Sequence, residues 1–568
     1  MDADTSKVQQ LLLEEQSRQI SELAGIASED EKSEETTSNT LAHILLDDYS
    51  QLDNIVAGLS QQAQVAGLLN KTFVIVEDTS QSKSRKFFGQ ILKGPVHIPE
   101  WGSVKDGSNI YPIVSGDKVD YVPAFHGYVE IRILGEIVDG DRLENTFARP
   151  YPKSKIQYPD ETLLQKLLGL PQAGGILGLL ANYKDQDIKV DMTDEIVRKQ
   201  LGIFGSTGSG KSNTVIVLAE LLVARDWCVI IFDHSGEYTQ LNESSQESRL
   251  FTERWRQLGI QPIGIRQGFR RYVPVTDKSR PAGCIKFSIR SADVPYDILK
   301  SMMDLSPAQD EKLDQLYFKE RKRLEKPLSL SEIMGAVQKD LKDEDVSKQP
   351  LLRKLEGLAQ KGIFDAERKK SAIQPDIFGR KADEEEVTYL TAEHLIMAKT
   401  VNVIDFGNTA SQDIINLVGL NILSILERAK GTIDSPYKTK VAVFLEEAHT
   451  FFSAEYAANA LFARSLTGLI RRIFKIGRKF YLNPVVISQQ PGDVGAAVLS
   501  QCNTKIIHQL TDDEDIQRVG KGAAKEYVDV IPDLKTGVAL ITSSNFLVPQ
   551  LVQIRPAMAN KIDPYEQG

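Results

Sequence analysis

The stretch QLGIFGSTGSGKSNTVIVLAELLVARD, residues 200–226, constrains the fold of this chain more than any other. An apolar segment of strand composition runs into a glycine-rich loop, and the residues after the loop repeat apolar side chains at helical spacing. Gly205, Gly210, Lys211 and Ser212 satisfy the pattern Gly-x-x-x-x-Gly-Lys-Ser. Gly205, Gly208 and Gly210 permit a tight backbone, so that the amides of Gly205, Ser206, Thr207, Gly208, Ser209, Gly210, Lys211, Ser212 and Asn213 can converge on phosphate oxygens. The helix that follows adds its positive N-terminal end. In such a loop Lys211 reaches the β- and γ-phosphates of ATP and the Ser212 hydroxyl ligates Mg2+.

Further apolar runs place this unit in a larger sheet. WCVIIFD, VNVIDF, VAVFLEE, NPVVISQ, TKIIHQL and GVALITS are nearly continuous hydrophobic segments of strand length. Strands buried on both faces read this way, and several alternate with helical patterns. The expected class is α/β, with a mainly parallel, doubly wound sheet over residues 166–292 and 396–568. Residues 293–395 interrupt the rhythm with helical periodicity in YDILKSMMDLSPAQDEKLDQLYFKERKRLEK and LSEIMGAVQKDL, which indicates a helical insertion. Upstream, TFVIVED, KFFGQIL, KVDYVP and YVEIRILGEIV are short β-rich runs between turn residues, as expected of a small β-barrel over 49–165. Residues 1–48 include SEDEKSEETTS, whose charge and lack of apolar residues predict a flexible acidic extension.

With 568 residues, two or three domains are expected. No apolar run reaches membrane-spanning length, and MDADTSKVQQ lacks the basic and apolar regions of a secretory signal, so a soluble cytoplasmic protein is expected. Cys228, Cys284 and Cys502 are scattered and form no ligand-spaced set with the seven histidines, which implies neither a disulfide framework nor a zinc site. A net charge of -10 argues against a generally basic coat, although a ring can line its channel with lysine and arginine while its exterior stays acidic.

The second half of a nucleotide site is expected at VAVFLEEAHTFF, residues 441–452. A strand ending in two acids places both at the edge where ligands collect in open α/β sheets. Glu446 is assigned to hold the metal, directly or through its waters, and Glu447 to orient and deprotonate the water that attacks the γ-phosphate. In LTGLIRRIFKIGRKFYLNPVVISQQPGDV, residues 466–494, Leu466, Leu469, Ile470, Ile473 and Phe474 interleave with Arg471, Arg472 and Lys475. One stripe of that helix packs and another meets solvent or a partner. Gln489 follows the next strand, placed to touch the γ-phosphate or the attacking water. Arg478, at a subunit edge, is suited to stabilise charge in a neighbour's transition state. Two segments compete for contact with a nucleic acid, RQGFRRYVP near 267 and the basic helix near 472.

The series GIFGSTGSGKS, IIFDHSGEY, FLEEAHTFF, GRKF and VVISQQPGDVGAAVLSQCNTKII resembles the HerA family of hexameric DNA-translocating ATPases, in wording and in order, over roughly residues 195–560. The resemblance implies a RecA-like P-loop core, an N-terminal barrel of that family's type and a homohexameric ring with ATP between subunits. It further implies double-stranded DNA in the channel, Lys211 and Glu447 in the roles above, and Arg478 as a finger acting in trans. Asp233 and Glu237 match a family motif beside the nucleotide, and Arg198 stands where some members carry another nucleotide-contacting arginine. Family members typically work with a separate effector, a nuclease or a sirtuin-like NAD hydrolase, in DNA processing or defence. The competing expectation is a ring whose nucleotide state chiefly organises an effector, with motor activity secondary.

Overall fold

Alternation of side chains along short strands builds the first unit, Met1–Asp160, in the computed structural model. The structure describes residues 41–44, 54–59, 71–80, 84–99, 125–170, 174–181, 183, 187–246, 249–277, 283–365, 387–409, 411–452, 461–521, 525–544 and 546–562. Strands β1 (Ala42–Ile44), β2 (Asn54–Leu59), β3 (Phe73–Asp78), β4 (Arg85–Pro99), β5 (Phe125–Val138), β6 (Arg142–Glu144) and β7 (Lys155–Gln157) pair in the order β2-β1-β7-β3-β4-β5-β6. An added β2–β5 pairing closes six of them into a barrel and leaves β6 outside the ring. Every second residue points inward: Ile55 and Ala57, Val74 and Val76, Phe87 and Ile91, Val129 and Ile131 are buried together. Register shifts in the β4–β5 pair bend these long strands, and one lies at Gly94, whose φ of 117° is a glycine conformation.

The extension expected to run to residue 48 ends earlier, because Ala42–Ile44 pairs with both β2 and β7. Three residues are too short for a periodicity to show. The run KVDYVP, expected as a strand, lies outside the described residues.

The second unit, Glu161–Gly568, is organised by one sheet. Its strands are β8 (Gly175–Leu180), β9 (Lys189–Met192), β10 (Leu201–Phe204), β11 (Cys228–Asp233), β12 (Phe269–Pro274), β13 (Cys284–Ser288), β14 (Thr388–Tyr389), β15 (Thr400–Asp405), β16 (Val441–Leu445), β17 (Leu482–Ser488), β18 (Thr504–Ile507), β19 (Val538–Ser543) and β20 (Gln550–Ile554). They run in the order β14-β13-β12-β15-β11-β16-β17-β10-β18-β19-β20-β8-β9. From β14 to β18 every pairing is parallel, and from β18 to β9 every pairing is antiparallel. All residues of β10, β11, β15, β16 and β17 are buried, which is why their sequences do not alternate.

GVALITS, expected among those strands, is the antiparallel β19, with only three of its six residues buried. RQGFRRYVP, one of the two candidates for nucleic-acid contact, contains β12: Arg271 pairs with the buried Asp405 at 2.7 Å and Arg270 donates to the His394 carbonyl at 3.0 Å. Between β13 and β14 lie helices Tyr296–Ser301, Pro307–Leu324, Leu330–Asp340 and Lys348–Gln360. Ser306 with Gln309, and Ser329 with Glu332, form capping boxes that start the second and third of these. No helix among the described residues is long and apolar enough to cross a membrane.

Candidate nucleotide site

The loop after β10 is shaped by backbone conformation before any side chain acts. Gly205, Gly208 and Gly210 have φ of 157°, 75° and 112°. A Cβ on Gly205 would sit 2.6 Å from the His508 Cβ and 2.7 Å from the Ser209 Oγ, so the loop has no room for one. Ser206 is tied on both sides, its amide donating to the Gln509 carbonyl at 2.8 Å and its hydroxyl to the same oxygen at 3.0 Å. Ser209 is buried and donates to the Ser206 carbonyl at 2.7 Å. The helix Lys211–Val223 starts on Gly210 with no side-chain cap, which leaves its first amides facing the loop.

Lys211 is 9% exposed and donates to the Ser206 carbonyl at 2.8 Å. Burial pushes its amine down to about 8, against the pull of Glu447, Glu237 and Glu446. A buried amine that rests on a loop carbonyl is poised to exchange that partner for phosphate oxygens.

Glu446, 7% exposed, accepts from the His234 amide at 2.9 Å, the Ser235 hydroxyl at 3.2 Å and the Tyr238 hydroxyl at 3.2 Å. Asp233 holds the turn that presents those donors, accepting from the amides of Gly236, Glu237 and Tyr238 at 2.7, 3.2 and 3.0 Å. The sequence left Asp233 without a role, and the structure gives it this supporting one. Burial raises both the Asp233 and Glu446 carboxyls; Asp405 and Glu237 add to the first, and Asp233 and Glu237 to the second. Ser212 lies near enough to Tyr238, the tyrosine that also reaches Glu446, to act on its hydroxyl. The metal-side pair predicted from sequence therefore shares one partner.

Glu447 leaves the strand axis, because its φ of 46° is a left-handed conformation that costs a non-glycine residue about 1–2 kcal/mol. Gln489 donates to its Oε1 at 2.5 Å, and His449 Nδ1 lies 3.2 Å from its Oε2. Burial alone would raise the Glu447 carboxyl, but His449, Gln489 and Lys211 outweigh it and hold the carboxyl below its ordinary value. The Gln489 oxygen in turn accepts from Thr207 Oγ1 at 2.5 Å. A continuous chain thus runs from the phosphate loop through Gln489 to Glu447, with His449 beside the other carboxylate oxygen. Thr207 and His449 stand in the motifs, but nothing in their spacing marked them as members of this chain.

Two predicted residues lie elsewhere. Asn213 turns its side chain away from the loop, donating to the Arg555 carbonyl and accepting from the Ala557 amide, both at 2.8 Å. Arg478 sits at the opposite edge of the sheet from Lys211, at the end of the helix Leu461–Phe480 and before β17. With Arg198, Lys475, Lys479 and Tyr481 it lines a depression of about 420 Å³. Seven residues of β17, about 20 Å at 3.3 Å per residue, separate this depression from Gln489. Arg198 is held within it, its guanidinium 5.0 Å from the Tyr481 ring centre and 3.1 Å from Glu195.

A glycine loop with no room for a Cβ at Gly205, a buried lysine at its end and two carboxylates at the end of β16, one strand beyond β17, define an enzyme of the P-loop ATPase class. Residues 176–424 match the family described as Helicase HerA, central domain. The chain is similar to the probable DNA double-strand break repair helicase HerA of Methanocaldococcus jannaschii, 24% identical over 483 residues that cover 79% of this chain and 88% of that protein. It is also similar to the DNA double-strand break repair helicase HerA of Sulfurisphaera tokodaii, 25% identical over 392 residues covering 65% and 67%. Among solved structures, VirB4 of Thermoanaerobacter pseudethanolicus aligns at 14% identity with a TM-score of 0.43, covering 70% of this chain and 98% of that one.

Proposed function

We propose that this protein is an ATP-driven motor that moves along double-stranded DNA as a homohexameric ring. The observation that carries the reading is the linked site, in which Thr207, Gln489, Glu447 and His449 connect the phosphate loop to the water-activating carboxylate. Lys211 exchanges the Ser206 carbonyl for the β- and γ-phosphates. The loop glycines and the open helix start fit a polyphosphate, and the oxygen donors of Ser212 and Glu446 fit Mg2+, a hard cation. A Mg2+ ion held by Ser212 and Glu446 would supply positive charge against the charge that develops on the phosphates. Glu447 takes the proton of the attacking water, and Gln489 reports the γ-phosphate to the loop.

The similarity to HerA helicases supports DNA as the track. Arg471, Lys475 and Arg478 recur every three or four residues along the exposed side of the helix Leu461–Phe480, a stripe that suits phosphate contacts tolerant of sequence. The distance of Arg478 from Lys211 supports its action on a neighbouring subunit's nucleotide. A separate effector docks on the barrel unit, where Phe147 and Tyr151 are 95% and 52% exposed.

Steady-state ATP hydrolysis with and without duplex DNA tests the proposal. DNA is expected to stimulate turnover, and Lys211→Ala and Glu447→Gln each to lower it by about 100-fold or more. Vigorous hydrolysis that ignores DNA of every form would remove the motor.

A further inference from the structure

We infer that Lys561, contributed by the C-terminal segment, is a second phosphate-binding lysine of the same site, an inference that rests on the ATPase reading above. The segment that carries it is laid along the phosphate-loop helix by buried bonds. Asn213 holds the Arg555 carbonyl and the Ala557 amide. Two turns further on the same helix face, Glu220 accepts from the amides of Met558 and Ala559 at 2.7 and 2.8 Å and pairs with Arg555 at 2.7 Å, both side chains only 3% exposed. The Asn560 amide then donates to the Glu243 carbonyl at 2.9 Å, and the Ile562 amide to the Glu237 carbonyl at 3.1 Å.

Lys561 is thereby pinned by its backbone on both sides while its side chain stays free to turn. The amine lies 3.3 Å from Glu237 Oε2, its one ion-pair partner among the described residues, and is 44% exposed. That contact lacks hydrogen-bond geometry, since the same oxygen has no hydrogen-bond partner. Lys561 is also close enough to Lys211 to push the latter's amine down.

Electrostatics supplies the reason for a second cation. Lys211 shares its surroundings with Glu237 and Glu447, so negative charge already surrounds the phosphate loop. A triphosphate adds more. Mg2+ answers the carboxylate side, and a single buried lysine is left to face the phosphates within the subunit. Lys561 can leave Glu237 and join it with no movement of the backbone, because a lysine stem spans several rotatable bonds. Asn213 and Glu220, both on the helix that follows the loop, then serve to carry that lysine to the nucleotide.

The experiment measures ATP binding by titration calorimetry in the full chain carrying Glu447→Gln, so that hydrolysis does not intrude, and steady-state turnover in the otherwise unaltered chain. Lys561→Ala is expected to weaken ATP binding about tenfold, the effect of losing one charge-assisted bond. Lys561→Arg is expected to restore most of the affinity. Unchanged affinity in Lys561→Ala overturns the inference while leaving the ATPase reading intact. Equal losses in Lys561→Ala and Lys561→Arg, with a lowered melting temperature, would also overturn it, because the segment would then act only as a brace. A parent chain that neither binds nor hydrolyses ATP would bring down both.

Discussion

The two edges of the parallel sheet are built on opposite terms. At the C-terminal edge, Lys211, Glu446, Glu447 and Gln489 are drawn into a partly or wholly buried web in which each has a named partner. At the N-terminal edge, one strand length away, Arg198, Lys475, Arg478 and Lys479 crowd round an open depression, and among the described residues only Arg198 of these has a carboxylate partner, Glu195 on its own helix. Like charges gathered on an exposed surface repel one another, so the second arrangement gains nothing for a lone subunit. The first edge can hold a nucleotide and aim a water, yet none of the residues named there carries a guanidinium for the transferred phosphate. The second edge has that guanidinium and nothing for it to act on. In the proposed ring the two edges meet across a subunit boundary.

Arg478→Ala is the sharpest way to break this pairing and carries the largest expected effect. If the guanidinium serves a neighbour, hydrolysis falls by about 1,000-fold or more while ATP binding is retained. Mixing Arg478→Ala subunits with Lys211→Ala subunits should recover activity that neither has alone, since some boundaries then join an intact loop to an intact arginine. Loss of ATP binding in Arg478→Ala, or no recovery on mixing, would place the arginine in its own subunit's site. Gln489→Ala comes next. It cuts the link between Thr207 and Glu447 without removing a charge, and turnover should fall about 10- to 100-fold with the affinity for ATP little changed, as measured by steady-state kinetics.

The same contrast explains what the sequence could tell. The C-terminal edge was legible because its chemistry lies in short runs: Gly205 to Asn213 and Glu446 to Glu447 are each contiguous, and loop geometry dictates their residue types. The buried strands were legible for a related reason, since burial on both faces leaves β11 or β17 with hardly a polar residue. What escaped was set by partners distant in sequence. Asn213 belongs to the loop motif, yet its side chain answers to Arg555 and Ala557, 342 and 344 residues away. RQGFRRYVP reads as a candidate for nucleic-acid contact because the acid that pairs with Arg271, Asp405, lies 134 residues on. Ala42–Ile44 and the two-residue β14 are too short to carry any period.

The smallest expected effect tests whether the C-terminal edge is as desolvated as its geometry implies. In the empty site Lys211 titrates near 8, because burial disfavours its charged form more than the surrounding carboxylates favour it. Phosphates in contact with the amine favour the charged form, so its value in the bound site is higher. The sign follows from linkage: the bound state holds more protons than the empty one between the two values, and affinity must fall as pH rises through that window. ATP affinity should therefore be level below about pH 7.5 and weaken by up to about tenfold per unit above pH 8. Calorimetry at pH 8.5 in buffers of different ionisation enthalpy should show net proton uptake on binding. Affinity that stays level to pH 9.5, with no proton uptake, would mean that water reaches Lys211 as freely as it reaches the lysines of the other edge, and the contrast between the edges would lose its physical basis.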